Sequence, residues 1–312
     1  MGVSEMLKRL NIYFKEMYPI IPRLFLGMLV FLEIYFIVFC NSGGTIQDIT
    51  AMPWQNFAGM AVCGFTIFSF LCWLRIADDF KDYELDCRLF AHRPLPSGRV
   101  TKKDLKIFLC FLIPITLILN AVFCWHNFLF CVILYTYGSG MAVWFFQKHK
   151  IQKSLPMALV THNPVQMIMN IYVISFVIIQ HNLPVFTLAN VMAVFTLYFP
   201  ALIWEVTRKI RAPKDETEYV TYSKLFGYKK ATNFALIVTL IDIATNFVLV
   251  WNLNKISVAV LALLVSWMTF KFFQFKKDPT KFKLVSVVEK YTYMQETVMI
   301  LTIICYLIFG KI

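Results

Sequence analysis

Nine apolar stretches of about twenty residues recur along the chain, near 20–41, 57–77, 106–124, 127–146, 155–179, 185–204, 231–251, 256–274 and 293–310. That is the length a helix needs to cross ~30 Å of hydrocarbon. Composition agrees: apolar residues make up 59% of the chain and charged residues 15%, where a soluble domain carries roughly 25% charged. The expectation is an all-α integral membrane protein with nine transmembrane helices. The third and fourth stretches, and the seventh and eighth, are separated by so few residues that each pair is expected to form an antiparallel hairpin. The first stretch begins too late, and is too plainly one of a series, for a cleaved signal peptide.

Basic residues set the orientation. Of 30 lysines and arginines, 28 fall on one side of the expected spans, leaving only Lys255 and Lys311 on the other. The positive-inside rule makes the rich side cytoplasmic, with the N-terminus inside and the C-terminus outside. The expected location is the plasma (inner) membrane. The net charge of +12 is then a consequence of topology, and no nucleic-acid partner is called for. The eight cysteines contain no C-x-x-C pair and mostly fall inside spans, where they serve as small packing residues. Polar segments sit only between spans, so residues 1–312 are expected to form one membrane domain, capped by the polar loops 78–105 and 205–230.

Against this background the stretch "DDFKDYELD" is anomalous. It places Asp78, Asp79, Asp82, Glu84 and Asp86 within nine residues at the end of the second span. On a continuous helix Asp78, Asp82 and Asp86 share one face at i, i+4, i+8, with Asp79 one step around. Such a face cannot serve stability, because like charges at that spacing repel and negative charge opposes the dipole at a helix C-terminus. A divalent cation reverses both penalties. Mg²⁺ in particular takes oxygen ligands and is typically held by one or two carboxylates plus substrate phosphates.

"DDFKDYELD", followed by "CRLFAH" and "RPLPSGR", resembles the UbiA-type intramembrane prenyltransferases. These carry N-D-x-x-D-x-x-x-D at the cytoplasmic end of the second of nine spans, then an R-P-x-P-S-G-like loop. Asp79, Asp82 and Asp86 match the three aspartates, and Asp78 stands at the asparagine; Arg93, Pro94, Pro96, Ser97 and Gly98 match the loop. The family's second motif, D-x-x-D-x-x-x-D, follows the sixth span. Here that region reads "LIWEVTRKIRAPKDETEYVTYSKLFG". Glu205 takes the first acidic position and Thr221 to Gly227 match the trailing segment. Arg208 replaces the second aspartate, Lys209 and Arg211 add positive charge, and acid returns only at Asp215, Glu216 and Glu218.

The resemblance implies nine helices around a central cavity and Mg²⁺-dependent transfer of a prenyl group from an isoprenyl diphosphate to a lipophilic or aromatic acceptor, the bilayer admitting the isoprenoid tail. It makes Asp78, Asp82, Asp86 and Glu205 the catalytic acids. Metal ligands are expected among these together with Asp79 and Asp215. Diphosphate contacts are expected from Arg88, Arg93, Lys148, Arg208, Lys209 and Arg211. With one acid where the family has three, the second motif allows two arrangements: Glu205 holds a second ion, or guanidinium replaces it, which the planar, bidentate arginine fork suits.

The chemistry follows physically: clamping the diphosphate promotes C–O ionisation, and the carbocation needs a dry cavity. "VTHNPVQM" places His162, Asn163 and Gln166 inside the fifth span beside Pro164. His162, Asn163 and Tyr222 are candidates for acceptor binding or proton removal. Glu33, Asp242 and Glu296, also at membrane depth, are read as bundle-tethering groups. Two other activities fit the same residues less fully: an intramembrane terpene cyclase needing no acceptor, and a transporter or lipid-binding protein without chemistry.

Overall fold

The computed structural model describes residues 2–217 and 219–311, and among these it is helical with no strand. Along the chain the helices are α1 (Val3–Glu16), α2 (Ile20–Asn41), α3 (Ile46–Thr50), α4 (Trp54–Lys81), α5 (Tyr83–Leu89), α6 (Lys102–Phe123), α7 (Phe128–Ala142) and α8 (Lys148–Ile151). There follow α9 (Leu155–His162), α10 (Val165–His181), α11 (Leu188–Ala193), α12 (Tyr198–Thr207), α13 (Tyr222–Phe226), α14 (Tyr228–Trp251), α15 (Lys255–Lys277) and α16 (Leu284–Phe309).

Among the described residues eight helical segments are long and apolar enough to cross a membrane: α2, α4, α6, α9 with α10, α11 with α12, α14, α15 and α16. The stretch at 127–146 becomes α7, only 15 residues long and hence about 22 Å. A single 3₁₀ turn at Trp125–Asn127 and a tight turn at Trp144–Phe146 bracket it. Two spans are broken. Pro164, which lacks an amide hydrogen, separates α9 from α10, and Leu197, at φ 57°, separates α11 from α12.

The chain divides into two compact units, Met1–Leu32 with Met52–Lys148, and Glu33–Ala51 with His149–Ile312. In the first, α1 is amphipathic and buries Leu10, Tyr13 and Phe14 in a core shared with Phe68, Cys72, Ile76 and Leu105. The seam of α4, α6 and α7 carries a closed polar network. Asn120 donates to the Thr66 hydroxyl at 2.7 Å, while the Ser69 hydroxyl meets those of Thr116 at 2.7 Å and Tyr135 at 3.0 Å. Gly138 lets α7 approach α4 there, since a Cβ at that position would stand 2.3 Å from the Trp73 ring.

In the second unit Ile203, Val206, Ala235, Met268, Phe272, Val288 and Tyr291 form the core. Asn254 turns α14 into α15, its side-chain oxygen accepting from the amide of Ile256 at 2.9 Å. The broken span is repaired locally: the Asn170 amide donates to the carbonyl of Val194 at 2.9 Å and to that of Thr196, and Gln166 holds Asn170 at 3.0 Å. Backbone polar groups freed at membrane depth need such partners.

Candidate functional site

The first acidic segment is not one continuous helical face. Helix α4 ends at Lys81, Asp82 sits at the joint with φ −99° and ψ 10°, and α5 restarts at Tyr83. The i, i+4, i+8 alignment expected of Asp78, Asp82 and Asp86 is therefore broken at its middle member, where the crowded carboxylates would otherwise have stacked. The acids then separate by surroundings. Asp79 and Asp86 are buried, while Asp78 is exposed.

The buried pair is already neutralised. The Tyr13 hydroxyl donates to Asp79 Oδ2 at 2.6 Å, and the Arg75 guanidinium lies 2.8 Å from Asp79 Oδ1. Arg93, from the loop after α5, donates to Asp86 Oδ2 at 2.9 Å, and its guanidinium stacks 4.0 Å over the Phe90 ring. Burial beside Asp79 pushes the Tyr13 phenol far above its ordinary value, so it remains a hydrogen-bond donor. Arg9 fixes α1 through two 2.8 Å bonds to Asp104, and Arg99 binds both oxygens of Glu16.

Asp78 and Asp82 are differently placed. Asp78 pairs with Lys81 at 3.2 Å. Among the described residues the Asp82 carboxylate has no ion-pair or hydrogen-bond partner, and the residue is half-buried. Its carboxyl is pushed above the ordinary aspartate value, first by desolvation, with Lys81 opposing and the neighbouring aspartates adding to the rise. Among the described residues no three His, Cys, Asp or Glu side chains converge into a ready-made cage. The carboxylates of Asp78 and Asp82 are oxygen donors of the hard type that Mg²⁺ takes. Arg88, on α5, and Lys148, at the start of α8, are exposed.

The second segment is built on opposite charge. Glu205, on the last turn of α12, has both oxygens engaged, by Arg208 Nε at 2.6 Å and by Lys209 Nζ at 2.8 Å. The Arg208 guanidinium also lies 5.0 Å from the Trp204 ring. Downstream the loop closes on itself. Thr221 and Ser223 donate to the two oxygens of Glu216, Ser223 accepts from the Arg211 amide at 2.9 Å, and Arg211 Nη1 donates to Thr217 at 2.9 Å. Glu216 is thus consumed by the loop's own fold, whereas Asp215 is exposed; Glu218 lies outside the described residues.

Tyr222 is buried, and among the described residues its hydroxyl has no hydrogen-bond partner. Burial raises that phenol, and the nearby Glu205 carboxylate adds to the effect. Tyr222 also lines an apolar cavity of about 410 Å³ with Pro156, Leu159, Val206, Lys230 and Phe234. Of the fifth-span candidates, His162 Nδ1 pairs with the Thr161 hydroxyl at 2.9 Å and Asn163 faces Tyr198. Neither lines the cavity.

Sequence reading passed over Tyr13, Arg75 and Lys81 as members of the first site. The apolar spacing of Met6, Leu10, Tyr13, Phe14 and Met17 marks an amphipathic helix that must dock somewhere, and that is the signal by which Tyr13 could have been found.

No curated protein matches the sequence at a significant level. A solved structure reported for digeranylgeranylglyceryl phosphate synthase in membranes is similar at a TM-score of 0.63, covering 96% of this chain and 99% of its own, with 14% sequence identity. That likeness shows a shared helical membrane fold. The family match is broader evidence, for it runs from residue 34 to 288 and takes in both acidic segments and the spans between them. This multi-pass membrane protein belongs to the UbiA prenyltransferase family.

Proposed function

We propose that the protein transfers a prenyl group from an isoprenyl diphosphate to a lipophilic acceptor within the membrane, with Mg²⁺ at the first acidic segment and the site facing the cytoplasm of the plasma (inner) membrane. The observation that carries this reading is the division of the first motif. Asp79 and Asp86 are matched by Tyr13, Arg75 and Arg93, while among the described residues the half-buried Asp82 carboxylate is left without a partner beside exposed Asp78.

In this reading Asp82 and Asp78 hold the metal, and Asp79 and Asp86 fix the two helices that present them. A Mg²⁺ ion held by Asp82 and Asp78 would supply neutralising charge for the pyrophosphate that leaves as the allylic C–O bond breaks. Arg208 and Lys209 serve as phosphate-binding groups of the second segment, positioned through Glu205. Arginine suits the task because its fork binds two phosphate oxygens at once. The apolar cavity beside Tyr222 offers space for a lipophilic chain, and water kept out of such space does not quench a carbocation. His162, Asn163 and Tyr222 are retained as groups for binding the acceptor or taking its proton.

The test is Mg²⁺-dependent pyrophosphate release by the purified chain in lipid vesicles, supplied with farnesyl or geranylgeranyl diphosphate with and without candidate acceptors. Release that requires an acceptor and disappears in Asp82→Ala is expected. A cyclised hydrocarbon formed without acceptor would replace transfer by cyclisation, and no release at any chain length would remove the enzymatic reading.

A further inference from the structure

Lys81 occupies an unfavourable place for a cation in a metal-binding segment. It lies between Asp79 and Asp82 in sequence, its ammonium is 3.2 Å from Asp78 Oδ1, and its side chain is only 9% exposed. A fixed positive charge beside carboxylates weakens their hold on any second cation. If the segment's only task were to bind metal, that charge would work against it. The arrangement becomes favourable once the ligand brings negative charge of its own, as a diphosphate does.

The position of Lys81 is set by an unusual piece of backbone in the same unit. Trp144, Phe145 and Phe146 stand at φ 55°, 47° and 58°, three successive bulky residues in the left-handed region. Side chains with a Cβ rarely adopt that region even singly, and when they do the surrounding structure must enforce it. Here Phe145 meets the Tyr137 ring edge-on at 5.3 Å. It also sits where only a glycine fits at 140, since a Cβ there would be 2.7 Å from its ring. With Phe145 pinned, the turn presents the Trp144 ring to Lys81, whose Nζ lies 4.3 Å from the ring centroid. A lysine packed this way has its stem buried and its ammonium oriented before any ligand arrives.

We infer that Lys81 is a phosphate-binding cation built into the acidic segment, and that Trp144, held by the left-handed turn, is its positioning residue. The inference rests on the proposed diphosphate chemistry. It assigns Lys81 to the substrate's pyrophosphate group, in which the compact ammonium acts as a point charge. The competing role is purely internal, with Lys81 offsetting repulsion among Asp78, Asp79 and Asp82 in the resting protein.

Calorimetric titration of the full chain in vesicles with inorganic pyrophosphate at saturating Mg²⁺, and with Mg²⁺ alone, separates the two. Lys81→Met is expected to weaken pyrophosphate binding about tenfold while leaving Mg²⁺ affinity unchanged or tighter, and Lys81→Arg to recover most of the loss. Trp144→Leu, which keeps the charge but removes the ring, is expected to weaken pyrophosphate binding about threefold and to raise KM for the prenyl diphosphate without lowering kcat. Unchanged pyrophosphate affinity in Lys81→Met together with tighter Mg²⁺ binding would show an internal counter-charge and overturn the inference alone. Absence of Mg²⁺-dependent pyrophosphate binding in the unsubstituted chain would overturn the diphosphate reading beneath it. If Lys81→Met does not fold, as read by its thermal transition, Lys81→Gln takes its place in the same comparison.

Discussion

Residues 78–99 and residues 205–224 both present acids at the end of a membrane span, yet they distribute charge in opposite ways. In the first, carboxylates outnumber cations, two of them are buried and matched by groups from elsewhere in the unit, and Asp82 is left open. In the second, a single carboxylate is gripped on both oxygens by cations three and four residues along the same chain, and Glu216 is absorbed into its own loop. Acidic residues in a motif are therefore not equivalent to available ligands. What matters is whether another side chain has reached the carboxylate first, and that depends on burial and on elements distant in sequence.

The sharpest way to break this contrast is Asp82→Ala. Removing the half-buried Asp82 carboxylate, unmatched among the described residues, is expected to lower Mg²⁺-dependent pyrophosphate release by about a hundredfold or more, the scale of losing a principal electrostatic group. It also deletes a like charge from a crowded cluster, so the thermal transition in detergent should stay level or rise. A large loss of both activity and stability would instead mean that Asp82 is structural, as Asp79 and Asp86 are.

Next in size is the second segment. Arg208→Ala is expected to raise KM for the prenyl diphosphate about tenfold, the loss of one charge-assisted phosphate contact. Glu205→Gln should do less, because the two cations keep their places just past the end of α12 while losing only their internal partner. The ranking is the test. Should Glu205→Gln cost as much as Asp82→Ala, Glu205 is a metal ligand and the two segments are alike after all.

Much of this was legible in sequence, for reasons that also mark where legibility ends. Spans α2, α4, α6, α14, α15 and α16 announce themselves through uninterrupted apolar length, which depends on no other part of the chain. The break at Pro164 follows from its missing amide hydrogen. The break at Leu197 carries no such mark, because a leucine enters the left-handed region only when its surroundings, here Asn170 on another helix, satisfy the freed carbonyls. Within the first site, Asp78 to Asp86 are visible as a cluster, but their unequal availability is not. That is decided by Tyr13, 66 positions away in sequence, and by Arg93 reaching back from its loop. In the second, the basic substitutions at 208 and 209 are plain to read, and the capture of Glu216 by Thr221 and Ser223 is not.

Tyr13→Phe probes that long-range matching with little change of shape. It removes the 2.6 Å hydrogen bond to buried Asp79 and leaves the ring's packing in place. A hydrogen bond to a charged group contributes roughly 1.5–3 kcal/mol, so the unfolding free energy in detergent should fall by about 2 kcal/mol. Arg75 still neutralises Asp79, so activity should fall far less than in Asp82→Ala. If activity falls equally, Asp79 belongs with the open acids and the division within the first segment fails.

The smallest expected effect concerns the exposed end of the same helix. Arg99 donates to both oxygens of Glu16 and holds its carboxyl below the ordinary glutamate value of 4.5. A depressed carboxylate stabilises the folded form at every pH above the ordinary value, and that contribution fades as pH falls below it and through the lowered one. Amide protection of α1 measured against pH should therefore hold steady through neutrality and decline only on the acid side of the ordinary glutamate range. In Arg99→Ala the decline should be shallower, because the pair is already absent. Because the pair is exposed, 1 M salt at neutral pH should reproduce most of the loss, through the ~3 Å screening length at that strength. Tyr13 and Asp79 are buried, and 1 M salt should leave their hydrogen bond in place. If salt loosens α1 as much as Tyr13→Phe does, then the surface pair and not the buried one anchors the helix that supports the acidic site.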